Sequence, residues 1–213
     1  IHREKVGFLM RLSNVSKRCK LLALGAAAVL SLGLMAGCGS SDQSSSSGSG
    51  KTYKIGIVQL VEHNALDAAN KGFVDGLKER GFEEGKNITI DRQNAQADQS
   101  NLQNIAQRFV SAKMDLICAI ATPAAQTMAN ATHDIPIVGT AITDYEGAKL
   151  VASNKEPKGN VTGTSDMNPV KEQIDLLLKI KPDAKTIGTV YCSSEVNSEV
   201  QVKAMRSTPN QRA

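Results

Sequence analysis

The chain has 213 residues, 41% hydrophobic and 22% charged, enough for one or two globular cores. Its 25 basic and 21 acidic residues suggest a nucleic-acid partner, yet six of the basic ones (Arg3, Lys5, Arg11, Lys17, Arg18, Lys20) and one acid (Glu4) fall in residues 1–37. The remainder holds 19 basic against 20 acidic residues, a net charge near −1, which removes the case for nucleic acid.

Residues 1–37 have the three parts of a secretory signal: a basic stretch ending Lys17-Arg18-Cys19-Lys20, an apolar run over 21–35, and the small pair Ala36-Gly37. The apolar run is too short and too rich in glycine to span a bilayer well. Leu34-Met35-Ala36-Gly37-Cys38 resembles a lipobox, with Met35 where leucine is commonest, and marks Cys38 as the lipidated first residue of the mature chain. The competing reading is an uncleaved anchor helix. Met10 can serve as the start, with residues 1–9 as upstream translation. Residues 38–52 form a Ser/Gly linker without apolar side chains, a flexible tether between the anchor and the folded part of the chain. Gly50-Lys51-Thr52 copies the end of a phosphate-binding loop, but Ser45 replaces the earlier glycine and the segment precedes the first strand, so the match is discarded.

From residue 54 short β-rich runs alternate with amphipathic helices. Strands are expected at 54–60, 88–92, 116–121, 135–140 and 160–164. The first helix spans 64–80, with Leu66, Ala69, Phe73 and Leu77 on one face, Asn64 as N-cap and Gly81 as the stop. The second opens near Ser100 and carries Leu102, Ile105, Ala106, Phe109 and Val110 as a stripe. The third starts with Thr122 as cap and Pro123 as first helical residue. The unbroken apolar run at 116–121 suits a strand buried on both faces of a parallel sheet. This order implies a doubly wound parallel α/β fold. Residues 53–165 make a first lobe. Residues 166–205, with a helix at 169–180, a strand at 186–191 and a helix at 195–205, begin a second, incomplete lobe, and 206–213 is an off-pattern tail. Such a partial lobe leaves Ile174, Leu177, Leu178 and Val190 partly uncovered, so low stability is expected.

Ligands of open parallel sheets sit beyond the carboxyl ends of the strands. Polar side chains gather at those ends: Gln59, Glu62 and His63 after the first strand, Thr122 after the third, Thr140, Thr143 and Asp144 after the fourth, Ser165 and Asp166 after the fifth, and Ser193, Ser194, Glu195 and Asn197 in the second lobe. Thr122, with the backbone N–H groups of Ala124 and Ala125 at a helix start, can seat a carboxylate. Ser193 and Ser194 can do the same from the other lobe, while Asp166 or Glu195 faces an ammonium group, together a zwitterion site. Against this, Thr122 and Ser194 are equally explained as N-caps, Asp144 and Asp166 as turn residues, and His63 and His133 as loop residues. No His, Cys, Asp or Glu set has metal-ligand spacing, no cofactor motif occurs, and Gly163-Thr164-Ser165-Asp166-Met167 fails as a nucleophile elbow at its last position, so no metal, cofactor or catalysis is expected. Cys118 and Cys192 are read as free.

The strings KIGIVQLVEHNALDAANKGFVDGLKERGF (54–82), ICAIATPAAQ (117–126), IPIVGTAITD (135–144), VTGTSD (161–166) and YCSSEVNSEVQVKAM (191–205) resemble, in content and order, the ABC transporter substrate-binding proteins of the tryptophan/tyrosine type. The resemblance covers about residues 52–205. It implies a type I periplasmic-binding-protein fold of two hinged lobes that close on a small solute, aromatic amino acids in the family's proposed cases. It also implies ABC permease and ATPase partners, and places Gln59, Glu62, Thr122, Thr140, Asp166, Ser194 and Glu195 on loops facing the cleft. With only seven aromatic residues, and Phe73 and Phe109 on core faces, few remain to stack on an aromatic ligand.

The expected function is solute capture for an importer at the extracytoplasmic face of the cell membrane, held there by the lipid anchor. The alternative is a lipid-anchored sensory module that signals ligand occupancy to a membrane partner. Mass spectrometry of the mature N-terminus is expected to find a diacylglycerol-modified Cys38. An unmodified Cys38 still joined to Gly37 overturns the anchor.

Overall fold

The structure is a computed structural model that describes residues 51–208; the signal, Cys38 and most of the linker lie outside the described residues. Five strands form one parallel sheet: β1 (Tyr53–Gln59), β2 (Ile88–Asn94), β3 (Leu116–Ile120), β4 (Ile137–Ile142) and β5 (Val161–Ser165), in the spatial order β2-β1-β3-β4-β5. The helices between them are α1 (Asn64–Glu79), α2 (Gln99–Ser111) and α3 (Thr122–Ala131). The strand order steps outward on both sides of β1 and β3, as in a doubly wound sheet.

Each face of the sheet has its own core. On one side Leu102, Ile105, Ala106 and Phe109 of α2 and Ala124, Ala125 and Met128 of α3 pack on Val58, Ile117, Ala119 and Ile137. On the other, Leu66, Ala69, Phe73 and Leu77 of α1 lie over Ile55, Ile57, Cys118 and Ile120. No residue of α1 is fully buried. β3 feeds both cores, Ile117 and Ala119 one way and Cys118 and Ile120 the other, which is why its sequence lacks polar alternation. Gly56 of β1 supplies room for the fully buried ring of Phe109: a Cβ there would stand 2.7 Å from Cδ2 and Cε2 of that ring.

Several expectations shift in detail. The N-cap of α1 is His63, not Asn64: His63 has extended backbone, and its Nδ1 accepts the Ala65 N–H at 3.2 Å. The fourth strand starts at Ile137 because Ile135 is held in a turn, its N–H donating to Thr132 Oγ1 at 3.2 Å, and Pro136 has no N–H to give. It runs on to Ile142 through a register shift against β5, where Ala141 takes φ +55°.

The larger correction concerns the expected strand at 186–191, which does not form. A strand exists only as a member of a ladder, and 166–208 contributes no second strand beyond β5 for it to join. That region instead holds two helices, α4 (Val170–Ile180) and α5 (Val196–Ser207), packed on each other. Ile174, Leu177 and Leu178 are half-buried, whereas Val190 is fully exposed.

Phe109→Ala is expected to cost about 3–5 kcal/mol and Gly56→Ala about 1–3 kcal/mol through overpacking. The double variant should be less destabilised than the sum, since the added methyl enters the space the ring leaves; urea unfolding of all four proteins measures this, and strict additivity contradicts the contact.

Burial pushes the Cys118 thiol up to about 12 from 9.0, and burial likewise raises the Tyr145 phenol. The folded chain therefore keeps a proton that the unfolded chain releases, so stability is complete below pH 9.0 and falls as pH climbs toward about 12. Cys118→Ala is expected to flatten that fall, as read from urea midpoints across this range. A profile that does not change with the substitution contradicts it.

Candidate functional site

The parallel register brings the strand ends level. Gln59 pairs with Asn94 on one side and Ile120 on the other, Ile120 pairs with Thr140, and Ile142 with Ser165. The polar residues chosen from the sequence at the ends of β1, β3, β4 and β5 therefore share one edge of the sheet.

The centre of that edge is the passage from β3 into α3. Ala121 leaves the strand at φ +84°, ψ 152°, a region essentially restricted to glycine, at a cost of about 1–3 kcal/mol. It is held on both sides: its N–H donates to the Thr140 carbonyl at 3.1 Å and its carbonyl accepts the Ala125 N–H at 3.1 Å. Ala121 thereby occupies the cap position of α3, and Thr122 is the first helical residue rather than the expected N-cap. No side chain caps this helix. Thr122 is 2% exposed, and its Oγ1 is buried with no hydrogen-bond partner. The backbone N–H groups of Thr122 and Ala124 likewise find no acceptor among the described residues. An unpaired hydroxyl beside unpaired N–H groups at a positive helix end suits an anionic group.

Other candidates are engaged internally. Gln59, 4% exposed, donates through Nε2 to the Val61 carbonyl at 2.9 Å and to Asp67 Oδ1 at 2.6 Å, while its Oε1 accepts from Asn70 Nδ2 at 3.1 Å. It fixes the loop after β1 and the first turns of α1, leaving no free polar atom for a ligand. Glu62 is exposed on that loop. Thr140 is half-buried, and its Oγ1 lies 3.4 Å from Thr164 Oγ1. Asp144 closes a turn: Oδ1 accepts the Glu146 N–H at 3.1 Å and Asn154 Nδ2 at 3.5 Å. With Thr143, Tyr145, Asn154 and Ser165 it lines a cleft of about 380 Å³. Asp166 is exposed, its N–H bonded to the Ile142 carbonyl at 3.1 Å.

Ser193, Ser194 and Glu195 are not gathered with these. Ser193 and Ser194 are exposed, Ser194 Oγ pairs with Cys192 Sγ at 3.2 Å, and Glu195 Oε2 accepts from Asn197 Nδ2 at 3.2 Å. The N-cap of α5 is Glu195, whose side chain makes no capping bond to the helix backbone, so Ser194 does not act as the cap. Ser194 lines a recess with Pro123, Gln126 and Lys149, one that includes none of Gln59, Thr122 and Thr140.

Sequence reasoning missed the β2–α2 loop. Its Ala95 and Ala97 N–H groups donate to the carbonyls of Gln59 and Leu60, at 2.9 and 2.8 Å, across two consecutive left-handed residues, Gln96 and Ala97. The signal was Asn94, whose Oδ1 accepts the Gln96 N–H at 2.8 Å, and Asp98, which caps α2. Among the described residues no group of three His, Cys, Asp or Glu could hold a metal, and no helix is long and apolar enough to cross a membrane.

Residues 54–212 match the family model for ABC transporter substrate binding protein. The tyrosine-binding protein of Clostridioides difficile (strain R20291) is 48% identical over 195 residues, 89% of this chain and 56% of that one. The crystal structure of an ABC domain in complex with L-Trp from Streptococcus pneumonia superposes with a TM-score of 0.72 at 44% identity, covering 74% of this chain and 53% of that chain. A ligand-free, open substrate-binding protein with adhesive properties from Clostridium difficile gives 0.62 at 54% identity, over 73% and 52%. The branched-chain amino acid transporter substrate-binding protein of Streptococcus pneumoniae, at 16% identity and a TM-score of 0.54, shares the fold alone. The chain spans about half the length of these relatives. Its five-stranded unit is a lobe of the type I periplasmic-binding fold, and the chain belongs to the family of ABC transporter substrate-binding proteins.

Proposed function

We propose that the protein captures an amino acid of the aromatic class outside the cytoplasm and delivers it to an ABC permease and its ATPase, with Cys38 as the lipid anchor. The observation that carries this reading is the unpaired Thr122 Oγ1 at the uncapped start of α3, a seat for the ligand's carboxylate. Two relatives support the ligand class: the tyrosine-binding protein and the domain solved with L-Trp. Asp166, exposed at the end of β5, is the candidate on this lobe for the ammonium group, and Ser193, Ser194 and Glu195 are candidates on the segment between α4 and α5. The aromatic ring is the part of the ligand that this lobe serves least, because Phe109 is fully buried, Phe73 faces the α1 core, and Tyr53 and Phe82 contact each other edge to face at 6.2 Å.

Calorimetry of the chain, and of a form extended to the length of its relatives, against the twenty amino acids is expected to give heat with L-tryptophan or L-tyrosine. Silence across the panel in the extended form overturns the reading. Thr122→Ala is expected to weaken binding about tenfold or more, the loss of one hydrogen bond to a charged group. Its melting temperature should hold, because the hydroxyl makes no bond within the protein. Unchanged affinity in this variant removes Thr122 from the site.

A further inference from the structure

The ladder between β4 and β5 has a gap. Gly139 pairs with Gly163 and Ile142 with Ser165, so β4 spends two residues, Thr140 and Ala141, where β5 spends one, Thr164, which has no partner in register. Backbone polar groups at such a gap need another partner. Tyr145, in the turn that follows β4, supplies it: its phenol donates to the Thr164 carbonyl at 3.1 Å, and the residue is 6% exposed. Room for the phenol comes from the paired glycines. A Cβ at Gly139 would stand 2.6 Å from the phenol oxygen, and one at Gly163 would overlap that oxygen and the Gly139 carbonyl. Glycine inside a strand weakens it unless something must come close, and here one hydroxyl fills the space above both.

Beyond the gap the chain leaves the sheet under tight control. The Asp166 N–H donates to the Ile142 carbonyl at 3.1 Å, while Ser165 Oγ donates to the Thr143 carbonyl at 2.6 Å and accepts the Met167 N–H at 3.1 Å. Where Asp166 stands therefore depends on how far β4 bulges against β5. Burial raises the Tyr145 phenol, and the negative charge of Asp166 acts in the same sense, so the two groups lie within electrostatic reach. We propose that Tyr145 is a positioning residue for solute binding, its phenol bridging the gap in the β4–β5 ladder over Gly139 and Gly163 and so fixing Asp166 at the carboxyl edge. The role rests on the reading in which Asp166 meets the ligand's ammonium group.

Tyr145→Phe keeps the ring and removes only the donor. In the form extended to the length of the relatives, its affinity for L-tryptophan or L-tyrosine is expected to fall about fivefold, the share of one neutral hydrogen bond. Asp166→Asn should weaken binding about tenfold or more, as for a bond to a charged group. The double variant should bind as Asp166→Asn does, because a side chain that acts through Asp166 has nothing left to place. Equal affinity in Tyr145→Phe and the unsubstituted protein, effects that multiply in the double variant, or an Asp166→Asn protein that binds as before each overturns the proposal. Silence from the unsubstituted protein is a different failure: it removes the functional reading, and this role with it. Without ligand, exchange of the Asp166 amide is expected to quicken several-fold in Tyr145→Phe, while that of Ile57, buried in β1, holds. Exchange that quickens at both alike, as for a general stabiliser, or at neither, also overturns the proposal.

Discussion

The level parallel register of β1, β3 and β4 is the constraint on which the candidate site rests. Gln59, Ile120 and Thr140 stand in one row, so three chain segments that are distant in sequence turn away from the sheet side by side. That register is secured from beneath by burial. β3 is apolar on both faces, and Gly56 lets the Phe109 ring settle directly on the backbone of β1. A slip by one residue would move each side chain to the opposite face and drive a side chain into the space of that ring.

With the row in place, the passage into α3 can carry strain. Ala121 gives up about 1–3 kcal/mol in its backbone geometry, and the bonds from Thr140 and to Ala125 on either side hold it there. The result is a helix start with no side-chain cap and a buried hydroxyl with no partner, both of which ordinary folding would have satisfied. Unmet polar groups at the carboxyl edge of a parallel sheet are what a ligand-binding lobe has to offer, and the family to which the chain belongs binds solutes. Gln59 plays the opposite part: with its polar atoms engaged, it stiffens the loop that borders the site.

The region after β5 obeys the same rules with a different outcome. α4 and α5 cover each other's apolar stripes in part, but among the described residues the β-rich segment between them has no strand beside it. Its sequence is as suited to a strand as that of β4, and what separates the two is the presence of a ladder on either side.

Much of the fold was legible in the order of residues, because burial leaves periodic marks. The stripe at Leu102, Ile105, Ala106 and Phe109, from which the expected Val110 departs by being exposed, the apolar run of β3 and the helix stop at Gly81 each announce their element locally, and the resemblance of five ordered strings named the fold. The carboxyl-edge placement of Gln59, Thr122 and Thr140 was equally accessible, since it depends on strand ends alone. Which of these side chains is free was not. Gln59 is consumed by Asp67 and Asn70, eight and eleven residues away, and Thr122 loses its capping role to the turn of Ala121, which a bond from a different strand maintains. Such outcomes depend on contacts across the sheet, where composition and spacing carry no record. The same holds for 186–191: propensity is local to the chain, but a strand is a relation between two segments, and only the packed molecule has or lacks the second one.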